Sequence, residues 1–95
     1  MKKIEKMIDH IKDEIKGAFA YAEKYVIYKN TKPEWARTYA DMATDELDHA
    51  QELHSMYDEW MTTLSYIPED DKEAWEHCGA MMAEKVAEVR LLLSK

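Results

Sequence analysis

Apolar residues recur at steps of three and four along most of this chain, the spacing of one buried face of an α-helix. A first stripe runs Ile4, Met7/Ile8, Ile11, Ile15, Ala18/Phe19, Ala22 and Val26. A second runs Trp35, Tyr39, Met42/Ala43, Leu47/Ala50, Leu53, Met56/Tyr57, Trp60 and Leu64. A third follows with Trp75, Cys78, Met82, Val86, Val89 and Leu93. Breaks fall in two places. At the first, Thr31 and Glu34 have capping-box spacing around Pro33, and at the second Pro68 precedes the acids Glu69, Asp70 and Asp71. The pattern predicts helices over about residues 3–29, 32–64 and 69–93. Short connections make successive long helices antiparallel, so the expected fold is all-α, a helical hairpin with a third helix.

Composition narrows the picture. Ninety-five residues suffice for one small domain, and with only two Gly and two Pro little of the chain is free for sheet turns. The longest apolar run, Ala18 to Ala22, falls far short of the roughly 20 residues of a membrane helix. Net charge is −7, which argues against a nucleic-acid partner. The first residues alternate charge and show no secretory leader, and Cys78 has no intrachain partner, so a reducing cytoplasmic setting is expected. Three amphipathic helices of this length bury a modest core, which makes self-association an expectation.

Two carboxylates break the apolar pattern. At 100° per residue, Glu14 projects about 20° from Met7 and Tyr21 and about 40° from Ala18, inside the buried arc. Glu46 likewise shares its face with Tyr39, Met42, Ala50 and Leu53, and His49 follows one turn later. Glu14 and Glu46 are equidistant from Asn30, so an antiparallel hairpin brings them level, as it does Tyr21 with Tyr39 and Ile11 with His49. Two carboxylates that close cannot both ionise without a counter-charge, and a metal cation is the simplest one. Glu46-Leu-Asp-His49 is a Glu-x-x-His step, which puts a carboxylate and an imidazole on one side of a helix. The alternative is structural: Glu14 at the core's edge paired with a lysine, and His49 a satisfied interior histidine.

The runs Glu14-Ile-Lys-Gly-Ala-Phe-Ala-Tyr21 and Ala43-Thr-Asp-Glu46-Leu-Asp-His49-Ala-Gln-Glu-Leu53 resemble the first half of a rubrerythrin or ferritin-like di-iron protein. The resemblance covers roughly residues 4–60. In that superfamily the helix pair occurs twice in one polypeptide; here it occurs once, and the third helix has no Glu-x-x-His. The chain is similar in this respect to the encapsulated ferritins, whose ferroxidase centre forms between two subunits. The resemblance implies a four-helix bundle completed by a two-fold dimer or a ring of dimers. It also implies iron held by Glu14, Glu46 and His49 as metal and catalytic residues, with manganese or zinc as other occupants. Asp45 would orient the ligand histidine, and Tyr21 would hydrogen-bond a ligand carboxylate. Encapsulated ferritins end in a docking tail for an encapsulin-type shell. The end of this chain, Arg90-Leu-Leu-Leu-Ser-Lys95, still reads as helix.

The expected function is Fe(II) oxidation by O₂ or peroxide at a di-iron centre between subunits. The alternative is a non-enzymatic helical assembly protein with a structural or vestigial metal site. Other candidates rank lower. His10, one turn before Glu14, is expected to be exposed or at an interface. The cluster of Glu73, Glu76 and His77 suits a helix start, Glu88 reads as a solvated flank residue, and Cys78 as a small core residue.

Overall fold

A computed structural model describes residues 1–95 as three helices and no strands: α1 (Lys2–Tyr28), α2 (Pro33–Met61) and α3 (Glu69–Leu93). α1 and α2 form the antiparallel hairpin. α3 returns beside α1 and parallel to it. The amino group of Met1 lies 2.6 Å from Asp71 Oδ1 at one end, and Lys29 Nζ donates to the Lys95 carbonyl at 2.7 Å at the other. α1 is therefore the central helix, and α2 and α3 touch each other mainly around Trp75. The molecule is a rod of 54 × 17 × 17 Å. Its radius of gyration of 15.5 Å compares with about 12 Å for a compact chain of this length.

Helix ends follow local chemistry. Pro33 takes the first position of α2 and makes Lys32 the N-cap, with φ −138° and ψ 73°. Thr31 then lies one residue too early, and the expected capping box with Glu34 does not form. α2 ends at Met61 rather than near residue 64. The Thr62 and Thr63 hydroxyls donate at 2.6 Å to the carbonyls of Glu59 and Trp60, occupying groups that a further turn would need. Pro68 caps α3, and Glu69, Asp70 and Asp71 set negative charge against the positive end of its dipole.

All fifteen buried residues are apolar. α1 contributes Ile4, Met7, Ile11, Ile15, Ala18 and Ala22, the stripe read from the sequence. On α2 the buried set is Ala36, Ala43, Leu47, Ala50 and Met61, while Trp35 and Met56 are exposed. The reason is size. Small residues let α1 and α2 approach closely, and the large aromatics lie along the flanks of the seam. Tyr21 stacks on Tyr39 with ring centroids 6.2 Å apart, and Tyr39 stacks on Tyr28 at 5.9 Å. Tyr28 meets the edge of Trp35, over which Lys32 Nζ sits at 3.8 Å. At the other end, His54 stacks on Trp75 at 4.7 Å, and Trp75 Nε1 donates to Asp58 Oδ1 at 2.9 Å. Of the helices, none is long and apolar enough to cross a membrane.

A test of the seam is Ile11→Ala. Ile11 is fully buried at its centre, and truncation should cost about 2–5 kcal/mol of unfolding free energy. Denaturant titration followed by helical circular dichroism measures it.

Candidate metal centre

The hairpin register places Glu14 of α1 opposite Glu46 and His49 of α2. One ligand atom from each of the three lies within 4.8 Å of the others. His49 Nδ1 is 3.5 Å from Glu14 Oε2. Two ligands on one tetrahedral ion, with bonds of about 2.1 Å, stand about 3.4 Å apart, so that pair is already spaced for chelation.

Glu14 Oε2 is buried and has no hydrogen-bond partner, the only such side-chain oxygen or nitrogen in the chain. An unpaired buried carboxylate oxygen is costly, because nothing replaces the water it has lost. The neighbouring carboxyl responds. Glu46 is pushed above the ordinary value of 4.5, chiefly because in its protonated form it can hydrogen-bond to Glu14. Burial and the negative charges of Glu14 and Asp45 push the same way, and the charge of His49 opposes them. Glu46 therefore holds a proton more tightly than a lone carboxyl would. Two carboxylates and an imidazole with ligand atoms this close, one of the oxygens buried and partnerless, could hold a metal ion.

Glu46 packs over Gly17, one turn after Glu14: a β-carbon there would lie 3.4 Å from Glu46 Oε2 and 3.6 Å from its Cγ, ordinary contact distances that leave space for a methyl group but not for a longer side chain. The site opens into a cleft of about 240 Å³ lined by His10, Glu14, His49, Glu52, Leu53 and Met56. A larger cleft of about 450 Å³ between α1 and α3 is lined by Lys12, Lys16, Lys85, Glu88 and apolar residues. It gathers lysines, whereas the smaller cleft adjoins the one group of carboxylates and imidazole whose ligand atoms lie close enough to hold an ion.

Of the other residues singled out from the sequence, Tyr21 belongs to the aromatic stack with Tyr39, and no hydrogen bond joins it to Glu14 or Glu46. Asp45 is exposed, and no hydrogen bond joins it to His49, whose Nδ1 faces Glu14; Asp45 acts on the site through its charge on Glu46. Glu88 pairs with Lys85 at 3.3 Å, away from the ligands. Cys78 is buried beside Trp75 in the core, and that burial pushes its thiol above the usual value against a small opposing pull from Lys12. Gly17 and Glu52 carried no role in the sequence reading, and Tyr57 stood there only as a member of the apolar stripe. Each had a signal in its spacing, since Gly17 and Glu52 sit three residues after Glu14 and His49, and Tyr57 shares a face with Ala50 and Leu53.

Two outcomes follow from this geometry. A carboxyl with a raised value in the folded state stabilises the fold below its unfolded value, and that stability is lost as pH rises through the folded one. The metal-free protein should therefore lose thermal stability as pH climbs from about 4.5. Glu46→Gln should flatten that part of the curve, measured by thermal melts across pH. Gly17→Ala should be tolerated and stabilise the helix by about 0.5–1 kcal/mol. Gly17→Leu should displace Glu46 and weaken metal binding, read by calorimetric titration.

No family model, curated protein or solved structure matches the chain, so the functional reading rests on the ligand geometry itself.

Proposed function

We propose that this protein is a ferritin-like iron-binding protein that oxidises Fe(II) at a centre shared by two copies of the chain. The observation that carries the reading is the partnerless buried Oε2 of Glu14, set against the raised carboxyl of Glu46 and the imidazole of His49. One chain supplies two carboxylates and one imidazole. A two-fold pairing over the open side of the cleft doubles this to four and two, the ligand set of a carboxylate-bridged pair of irons. His49, with 55% of its side chain exposed, and the exposed Met56 lie on the side that such a pairing would cover.

Each residue has a definite part. Glu14 and Glu46 offer hard oxygen donors, which suit Fe(II), Fe(III) and Mn(II), while the imidazole of His49 leaves zinc as a competitor. A cation binds the ionised form of Glu46, so the raised carboxyl makes uptake compete with protonation as pH falls. The net charge of −7 draws cations toward the surface. Iron is the substrate here: each Fe(II) gives one electron to O₂ or peroxide, and the anionic ligands favour the more highly charged product. The spacing of the ligand atoms, a rod-shaped fold that leaves a long flank open, and the resemblance of residues 4–60 to a ferritin-like half-repeat all support this reading.

Fe(II) added to the protein in air should be oxidised in a saturable way, followed by near-ultraviolet absorbance and oxygen uptake, and Glu46→Ala should abolish the effect. Oxidation that never saturates, or that is unchanged in Glu46→Ala, overturns the proposal. Metal that raises the melting temperature without oxygen uptake would instead identify a structural site. Saturation at a hundredfold above Kd should stabilise the fold by about 2.7 kcal/mol.

A further inference from the structure

Glu14 stands between two imidazoles, one on each of its oxygens. Oε2 is 3.5 Å from His49 Nδ1, and Oε1 is 3.8 Å from His10 Nε2. Both separations are near the spacing of two ligands on one ion, and they involve opposite oxygens of a single carboxylate. That is the arrangement of a bridging carboxylate, which in two-metal sites holds ions about 3.5–4 Å apart.

His10 is half-exposed, yet its ring is held in place. Its Nδ1 lies 2.9 Å from the hydroxyl of Tyr57, and Tyr57 in turn meets the edge of Trp75 with ring centroids 6.5 Å apart. A phenol both donates and accepts, so it can keep this bond in either tautomer of the ring. When it accepts from Nδ1–H, the Nε2 lone pair is free toward Glu14. A hydrogen bond on the far nitrogen is the usual means by which a ligand histidine is oriented and made more basic. The exposed Glu52 also lines this cleft, outside the close group of Glu14, Glu46 and His49, and would reach an ion there by turning its side chain. The cleft of about 240 Å³ exceeds the share of one liquid water, about 30 Å³, several times over, which leaves room for a cation with part of its hydration shell.

We infer that each chain carries a second divalent transition-metal site, in the cleft on the Oε1 side of Glu14. Its ligands are His10 and Glu52, with Glu14 as the bridge to the ion held by Glu46 and His49. Tyr57 is its positioning residue. The inference rests on reading Glu14, Glu46 and His49 as a metal site, and it differs in stoichiometry. A centre merely shared between two copies takes one ion per chain, whereas a bridged pair within the chain takes two.

Mn(II) titration decides it, with the resonance of the free ion counting unbound metal. The wild-type protein should take up two Mn(II) per chain, and His10→Asn should take up one. Tyr57→Phe should retain both steps, with the second weakened about tenfold and the first unchanged, a selectivity that a general loss of packing would not produce. His10 is exposed enough, at 49% of its side chain, that His10→Asn should fold normally; circular dichroism of the metal-free variant checks this. If the wild-type protein binds one Mn(II) per chain, or His10→Asn still binds two, the second site is refuted. If one ion remains and Glu46→Gln removes it, the first site stands alone. If the wild-type protein binds none, both readings fail together.

Discussion

The meeting of Glu14 with Glu46 constrains everything else in this small rod. Its core is wholly apolar, a thin seam built on one central helix, and into the flank of that seam two carboxylates project from facing helices. Such a meeting is unfavourable by itself: the charges repel, and the buried Glu14 Oε2 has no hydrogen-bond donor. A cation between the two carboxylates would relieve this repulsion, and hydrogen bonding to Glu14 in the protonated form, burial and the same repulsion push the Glu46 carboxyl above its ordinary value. A metal ion bound there would compete with the proton, which would tie occupancy of the site to the stability of the hairpin.

The surrounding structure keeps the carboxylates from escaping. Ala18 and Ala22 on α1, with Ala43 and Ala50 on α2, hold the two backbones close, and the Glu46 side chain packs over Gly17 of α1. The aromatic stack Tyr21–Tyr39–Tyr28–Trp35 braces the hairpin toward the turn, and His54 and Tyr57 on α2 meet Trp75 of α3 toward the open end. The first stack is consistent with the register that brings Glu14 level with Glu46.

α3 has a different task. It covers the side of α1 away from the ligands, adding Trp75, Cys78, Val86 and Val89 to the core. The open flank therefore lies on the hairpin, beside the cleft of His10, Glu14, His49 and Glu52. A single chain thus presents its coordination chemistry at a surface where a second copy or a hydrated ion can reach it.

Helix periodicity alone was enough to locate three helices, the buried stripe of α1, and the two acids on the wrong side of their stripes, because a period of 3.6 residues maps sequence distance onto direction. The level pairing of Glu14 with Glu46 was legible too, since an antiparallel hairpin is nearly linear in residue number. What spacing could not convey were contacts that depend on how closely helices approach and how side chains turn. Trp35 and Met56 belong to the apolar rows by count, yet the close Ala-lined seam leaves them outside. Asp45 has the spacing to orient His49, but the ring turns toward Glu14 instead. His10 reads as a surface residue until Tyr57, far along the chain, takes one of its nitrogens and aims the other at Glu14. Direction along one helix is a local property of the backbone, whereas the partner that fixes a rotamer comes from another helix, and folding alone brings the two together.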